Sequence, residues 1–424
     1  MGASERTVLV STGPASLAVL FWTLLPVLLG SMLEFYEYGI FVSVTTEVTS
    51  NFFSEDKFHE YGVWAVFAIG QACRPIGAII FGVAADRYGR QPAIVAATLG
   101  MVICTTGMGL LPTHVCCGEW GSMGVPLLLL LRAGQGLCAA GELISGLVFA
   151  AEHAPPRMAG LAIGMMMGAS QLGALVASIF AAIMESTLTQ DQMREWGWRV
   201  PFCVALPLGV GVLFLQQHMP EPGGFSKGKA TAQQIVSSGC RRYKWQLIIA
   251  SCLCSLHCAL HYGVVNFVKH FLVNREIQPI STAAWIYAIG MVATFCSEIA
   301  CGHLCDKLGF FTVAMWIVPL FLVVFYPAWA LLVATGLGSW NAFVTAILFG
   351  LLSGQVIPCI GIALGLFPMH VRVTLFGLAY NLVQLLFGAT APIVENALVD
   401  TMQNALSSTW AASTFAGLWP TLAG

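Results

Sequence analysis

The sequence predicts an all-α membrane protein, a bundle of twelve transmembrane helices in two six-helix halves. The first observation is composition, because 58% of the 424 residues are apolar and 9% are charged, against about 25% charged in a soluble domain. The second is a series of apolar runs near the roughly 20 residues that a helix needs to cross a bilayer. The third is a loop pattern repeated half a chain apart. Together they exclude a soluble domain with one anchor, a disordered chain and a secreted disulfide scaffold.

The apolar runs give six spans on each side of a polar stretch. In the first half they predict spans at 18–46, 61–84, 92–111, 124–150, 159–184 and 199–217. In the second half they predict spans at 245–270, 281–304, 311–333, 340–366, 374–398 and 408–424. We therefore divide the chain into 1–217, a flexible cytoplasmic linker at 218–244, and 245–424. The last run contains Pro420 and stops at Gly424 without a basic tail, so we expect the twelfth span to be cut short.

Basic residues predict the orientation, because loops rich in Lys and Arg face the cytoplasm. The N-terminus and the even-numbered loops hold eleven basic residues, and the odd-numbered loops hold five. Both termini are therefore expected on the cytoplasmic side. The N-terminus has no cleavable targeting pattern, which makes the plasma membrane the expected location and leaves an organelle membrane open.

A loop pattern after the second span recurs after the eighth. The first copy is GVAADRYGRQ, and GHLCDKLGFF follows 220 positions later with Gly, Asp, a basic residue and Gly at the same spacing. The second glycine allows a tight turn, and the aspartate can bind a cation or a helix N-terminus. The candidate gating residues are Gly82, Asp86, Arg87, Gly89, Arg90, Gly302, Asp306, Lys307, Gly309 and Arg372. A basic loop that only obeys the positive-inside rule would explain one copy but not both, and a role of Asp86 in loop folding stays open.

These motifs resemble the major facilitator superfamily, whose signature is the loop after the second span with a weaker copy after the eighth. Within it the chain is similar to the metabolite:proton symporter family, through GSMLEFYEYGIF, RPIGAIIFGVAADRYGRQ, RAGQGLCAAGEL with AEHAPP, GWRVPF, and FPMHVR with YNLVQLLFGATAP. The resemblance implies a major facilitator-type bundle that carries organic acids, shikimate-like compounds or zwitterions such as proline and betaine. It also implies a coupling role for Arg132. Phe310 and Phe311 depart from the pattern, because a basic pair is usual there.

Ionisable residues within apolar runs are the strongest candidates for the mechanism. A charge in the bilayer core costs a few kcal/mol or more unless it faces a bundle interior or a water-filled cavity. Several such groups fall near mid-membrane, where transporters place their sites. The candidate substrate and proton residues are Glu34, Tyr38, Arg74, Arg132, Gln135, Glu142, Gln171 and Asn381. Glu37 is a further ionisable residue of the first span. The alternative is that these residues form structural ion pairs between spans.

The predicted function is alternating-access symport of protons with a small organic acid or zwitterion. Arg74 and Arg132 would attract the solute carboxylate, and Glu34 or Glu142 would carry the proton, because a carboxyl group in apolar surroundings favours its proton-bound form. An uncoupled facilitator and a transporter-like solute receptor stay open, and so does the identity of the solute.

The remaining features exclude other classes of protein. No phosphate-binding loop is present, which argues against ATP-driven transport. No nucleophile–base pair or metal-ligand spacing indicates an enzyme, so no cofactor or metal is expected. The net charge of −2 gives no basic face for nucleic acid. The expected partners are the solute, protons and the lipid bilayer, with the chain as a monomer.

Overall fold

The computed structural model describes residues 16–53, 59–113, 121, 123–221, 234–260, 280–334 and 339–388. Within these ranges the regular structure is helical and includes no strand. Nine of the described helices are long and apolar enough to cross a membrane. The predicted twelfth span and its proposed truncation lie outside the described residues. So do the ends of the seventh and eleventh spans and the middle of the linker.

The described part of the first half contains six long helices, with the short helix α2 after the first of them. They are α1 (Leu17–Ser43), α2 (Thr45–Phe52), α3 (His59–Tyr88), α4 (Arg90–Gly109), α5 (Gly124–His153), α6 (Ala159–Thr187) and α7 (Arg199–Gln216). The predicted first span extends to residue 46, whereas the structure ends α1 at Ser43 and begins the separate helix α2 at Thr45. Val44 between them leaves the helical conformation, with φ −100° and ψ 22°.

The described residues from 244 onwards contribute further α-helices. They are α8 (Lys244–Leu260), α9 (Ile280–Leu308), α10 (Phe310–Ala334), α11 (Ser339–Leu352), α12 (Val356–Gly365) and α13 (Arg372–Val383). The predicted tenth span, 340–366, corresponds to α11 and α12, which a 3-10 turn at Ser353–Gln355 joins into one continuous span, Phe343–Gly365. The N–H of Gly354 donates to Ser297 Oγ of α9 over 3.1 Å. This contact with another helix accompanies a tightened turn that the apolar pattern does not reveal.

The bundle has an apolar exterior and a partly polar interior. Large apolar side chains face outward, as with Trp22 (68% exposed) and Trp316 (78% exposed), which suits a lipid-facing surface better than a watery one. The two halves of the chain meet along two helix pairs, α3 with α13 and α6 with α9. Both pairs carry the polar residues described below.

Candidate functional site

Arg74 joins helices from both halves of the chain. Its guanidinium forms a 2.9 Å ion pair with Glu34 of α1, and its Nε donates to Asn381 Oδ1 of α13 over 3.1 Å. All three side chains are buried. Because Arg74 lies 14 residues before Tyr88 at the end of α3, it is about 21 Å from that end and thus near the middle of the bilayer.

A second buried network surrounds Arg132 of α5. Arg132 donates to Gln135 Oε1, and its guanidinium stacks 4.0 Å from the ring centroid of Phe41. The Gln135 amide donates to Glu37 Oε2 over 3.1 Å and to Thr105 Oγ1 over 2.7 Å. The hydroxyl of Thr105 in turn donates to Glu37. Sequence reasoning missed Thr105, since a threonine in an apolar run carries no signal of its own.

Both networks face one cavity, with about 340 Å³ of empty space including its opening. The part of it that a water molecule can reach is about 30 Å³, which is room for about one water molecule. Glu34, Tyr38, Gly70, Gln71, Arg74, Met101, Arg132, Gln135, Gly136 and Ala139 line it. The structure thus brings five of the eight predicted substrate and proton residues to one cavity. Asn381 reaches it indirectly, through its hydrogen bond to Arg74.

Glu142 lies beside this cavity, with its carboxyl group next to that of Glu34. Glu34 Oε2 and both carboxyl oxygens of Glu142 have no hydrogen-bond partner among the described residues. Two adjacent carboxyl groups do not readily ionise together. A proton held between them would supply the missing donor.

Gln171 is not brought to the cavity. Its amide on α6 donates to Glu298 Oε1 of α9 over 3.3 Å, so it forms a separate contact between the two halves of the chain. Sequence reasoning overlooked Glu298. The rule that identified Glu34 would have found it, because Glu298 is also an ionisable residue inside an apolar run.

The first loop motif binds α13 at one end of the bundle, which we name the motif end because both loop motifs lie there. Asp86 accepts hydrogen bonds from the N–H groups of Val373 (3.2 Å) and Thr374 (2.9 Å) and from the Thr374 hydroxyl (2.7 Å). Gly82 permits this contact, since a Cβ at that position would lie 2.7 Å from the Thr374 Cα. Asp86 therefore caps a helix N-terminus with negative charge.

The second motif makes the corresponding contact with α6. Asp306 at the end of α9 accepts from the N–H groups of Gly160 (2.7 Å) and Leu161 (2.8 Å). Gly302 lies directly against Gly160, where any side chain would overlap the Gly160 backbone. The two copies of the motif thus cap helices from opposite halves of the chain.

A buried ion network reinforces the first copy. Arg90 approaches Asp86 to 3.3 Å and Glu152 to 3.1 Å, and Arg372 pairs with Glu152 at 2.8 Å. Arg90 also donates to the Met369 carbonyl over 2.7 Å. One carboxylate therefore holds two arginines from opposite halves. Sequence reasoning did not single out Glu152, which lies at the end of a span, although its segment AEHAPP was part of the family resemblance.

The other motif residues have different surroundings. Gly89 and Gly309 adopt positive φ angles of 122° and 87°, which glycine adopts more readily than other residues. Arg87 stacks on the neighbouring Tyr88 ring at 5.2 Å, and Lys307 is exposed. The structure does not bring Arg87 or Lys307 into the ion network.

Glu221, at the start of the linker, caps the helix that follows Gly89. Its carboxylate accepts from the N–H groups of Arg90 (3.0 Å) and Gln91 (2.9 Å). We expect Glu221→Ala to destabilise α4 by about 1 kcal/mol, the usual cost of a lost N-terminal cap. Thermal unfolding of the detergent-purified protein measures this as a melting temperature lower by about 1–2 °C. An equal melting temperature would contradict the role, and the exposed Glu195→Ala serves as control.

Membrane-spanning helices around a mid-membrane cavity of buried charges, with a duplicated motif at one end, define a multi-pass membrane transporter. The chain matches the Major Facilitator Superfamily over residues 17–392 and belongs to that superfamily. This confirms the fold class and superfamily predicted from the sequence. It also confirms that the chain is not an enzyme, because the members are transporters.

Relatives and solved structures agree with this assignment. The chain is 26% identical over 398 residues to the ectoine/proline transporter ProP of Corynebacterium glutamicum, covering 88% of this chain and 77% of that protein. It is 27% identical over 402 residues to a putative proline/betaine transporter of Staphylococcus aureus, covering 88% and 80%.

Two solved structures share the fold. The proton:xylose symporter XylE from E. coli superposes with a TM-score of 0.76 at 16% identity, covering 96% of this chain and 94% of that one. The human organic anion transporter MFSD10 superposes with a TM-score of 0.68 at 14% identity, covering 95% and 98%.

Proposed function

We propose that this protein is a proton-coupled symporter of a small zwitterionic solute of the proline or betaine type. The observation that carries the proposal is the mid-membrane cavity lined by Arg74 and Arg132 together with Glu34. The relatives named as ectoine, proline and betaine transporters favour a zwitterion over a simple organic acid. Zwitterions and organic acids are the two solute classes expected from the sequence.

The cavity residues match the two charges of such a solute. Guanidinium groups bind carboxylates through strong charge-assisted hydrogen bonds, and Arg74 and Arg132 supply two of them. The ring of Tyr38 suits the ammonium end, since quaternary ammonium groups bind aromatic faces. Tyr38 itself is packed edge-on against Phe67, 6.0 Å between centroids, which fixes its ring at the cavity wall.

Coupling to protons follows from competition for Arg74. A solute carboxylate that binds Arg74 takes the place of Glu34, whose ion pair with Arg74 is 2.9 Å long. A displaced Glu34 next to Glu142 then favours binding of a proton. By linkage, a bound proton on this pair also releases Arg74 for the solute, so each ligand promotes binding of the other.

Alternating access requires the contacts of the motif end to open. In this structure Asp86 caps α13 and Asp306 caps α6, so the bundle is closed at that end. We place the motif end in the cytoplasm, since it carries the excess of basic loops. In this arrangement residues 1–217 and 245–424 form the two moving halves, residues 218–244 link them, both termini are cytoplasmic, and the chain works as a monomer in the plasma membrane.

Uptake into proteoliposomes tests the proposal. We expect labelled proline or glycine betaine to accumulate several-fold when the outside is made acidic, and to stop accumulating when a protonophore removes the gradient. Uptake that ignores the gradient would select an uncoupled facilitator. Binding without counterflow exchange would select a solute receptor.

Glu142→Gln separates coupling from solute movement. Glu142 holds no ion pair among the described residues, so an isosteric amide leaves Arg74 and Glu34 paired. We expect gradient-driven accumulation to fall at least tenfold, about 1.4 kcal/mol of lost coupling, while counterflow exchange continues. Glu195→Gln, an exposed acid outside the cavity, should behave as wild type. Wild-type accumulation by Glu142→Gln would remove this residue from the proton site.

A further inference from the structure

A second pair of buried polar groups lies outside the cavity, where α6 packs against α9. Gln171 and Glu298 are each 1% exposed, and the Gln171 amide donates to Glu298 Oε1 over 3.3 Å. Gln171 lies 12 residues from the start of α6 at Ala159, and Glu298 lies 10 residues before the end of α9 at Leu308. These spacings correspond to about 18 and 15 Å, so both groups are near mid-membrane.

The hydrogen bonds of this pair are incomplete in a specific way. Glu298 Oε2 and Gln171 Oε1 both lack a partner within the described ranges, although buried polar atoms nearly always have one. An ionised carboxylate and an amide oxygen are both acceptors, so they cannot satisfy each other. A carboxylic acid can, because its O–H donates to the amide oxygen while the amide N–H donates to the other carboxyl oxygen. A single proton on Glu298 therefore gives both unpartnered oxygens a hydrogen bond.

The charged groups around Glu298 also favour its protonated form. The helices that pack against α9 are α6, α10, α11 and α12, and their sequences contain no Lys or Arg. Their one acidic residue is Glu185 of α6, 14 residues beyond Gln171, or about 21 Å along the helix. The other titratable side chains that the structure describes on α9 and on the helices packed on it are Tyr287, His303, Asp306 and Lys307 and the thiols of Cys296, Cys301, Cys305 and Cys359. An ionised Glu298 would thus be a buried charge without a counterion among the described residues, which is costly.

We propose that Glu298 is a second proton-binding site, separate from the cavity, and that its protonated form holds α6 and α9 together through Gln171. When the halves separate and water enters, the O–H bond breaks, the proton passes to water, and the carboxylate is hydrated. The closed contact therefore takes up a proton and the open one releases it. The role in gating rests on the proposed transport function, whereas the proton site itself does not.

Infrared difference spectroscopy of the full-length protein in lipid bilayers tests the site directly. At neutral pH and without solute, we expect a carboxylic-acid C=O band that Glu298→Gln removes and that Gln171→Leu shifts in frequency, because the hydrogen bond to the acid is lost. Glu195→Gln should leave the band unchanged. A spectrum of Glu298→Gln identical to wild type would overturn the proposal.

Gln171→Leu keeps the test decisive if Glu298→Gln does not fold. If Glu298→Gln does not fold, a band in Gln171→Leu at the wild-type frequency would equally contradict the pairing. The experiments also distinguish failure of the Glu298 proton site from failure of the proposed transport function. An acid band without proline or betaine uptake would leave this site in place and reject the proposed function, whereas uptake without the band would do the reverse.

Discussion

Arg74→Lys is expected to reduce solute uptake about a hundredfold while the protein stays folded. Arg74 uses two nitrogens of one planar group to hold Glu34 at 2.9 Å and Asn381 at 3.1 Å. A lysine ammonium is a point charge without this fork geometry, so it cannot hold both partners. Two weakened hydrogen bonds from a charged donor amount to about 3 kcal/mol, which corresponds to about two powers of ten in rate. The retained positive charge still compensates Glu34.

Initial uptake rates in proteoliposomes measure this effect, normalised to the amount of folded protein. Arg157→Lys makes the same chemical change at an exposed site of the motif end and should transport normally. Uptake by Arg74→Lys within a factor of three of wild type would show that transport does not need the planar geometry of the Arg74 guanidinium.

Arg74→Ala separates the structural and functional contributions of this ion pair. It leaves Glu34 as a buried unpaired charge, at a cost of about 3–5 kcal/mol, and should lower the yield of folded protein. The double variant Glu34→Gln/Arg74→Gln removes both charges and should recover folding without recovering transport. If it recovered both, the pair would be a structural ion pair, the alternative left open by the sequence.

The length and order of the spans could be predicted because the bilayer fixes how long an apolar helix must be. The sixth span illustrates this, predicted at 199–217 and observed as Arg199–Gln216. Local changes of helix geometry inside a run were not predictable. The 3-10 turn between α11 and α12 lies where Gly354 contacts Ser297 of another helix, and hydropathy holds no information about that contact.

The candidate site was predictable where charge and apolar context coincide. Arg74 and Arg132 stand out in the sequence for that reason, and both line the cavity. Neutral or terminal positions gave no such signal, as with Thr105 of the Glu37 network and Glu152 at the end of α5. Pairing across the halves was also beyond the sequence, since Gln171 looks like a cavity residue but contacts Glu298 instead.

Glu152→Gln is expected to open the motif end of the bundle. Among the described residues, Glu152 is the carboxylate that pairs with both Arg90 (3.1 Å) and Arg372 (2.8 Å), and all three side chains are almost fully buried. A glutamine leaves Arg372 without a carboxylate partner there, while Arg90 keeps Asp86, a loss of about 3–5 kcal/mol. A shift of this size moves the ratio of closed to open molecules by at least about a hundredfold.

Spin-label distances across the motif end measure the shift. Labels at the half-buried Arg87 of α3 and the exposed Lys307 of α9 report on opposite halves, and they are introduced through non-natural amino acids because the chain has 14 cysteines. We expect a longer distance to dominate in Glu152→Gln and the short one in wild type and Glu195→Gln. An unchanged distance distribution would show that the ion network does not hold the gate.

The size of this effect should depend on which copy of the motif is disturbed. Asp86 is backed by Arg90, which approaches to 3.3 Å, whereas Asp306 caps α6 through two backbone N–H groups and pairs with no arginine in the described part of the chain. Phe310 and Phe311 occupy the positions where the second copy lacks its usual basic pair. Capping by charge alone contributes about 1 kcal/mol, up to about 2 when partly buried. Asp306→Asn should therefore shift the same distance distribution less than Glu152→Gln, because the first copy of the motif holds most of the energy that keeps this end closed.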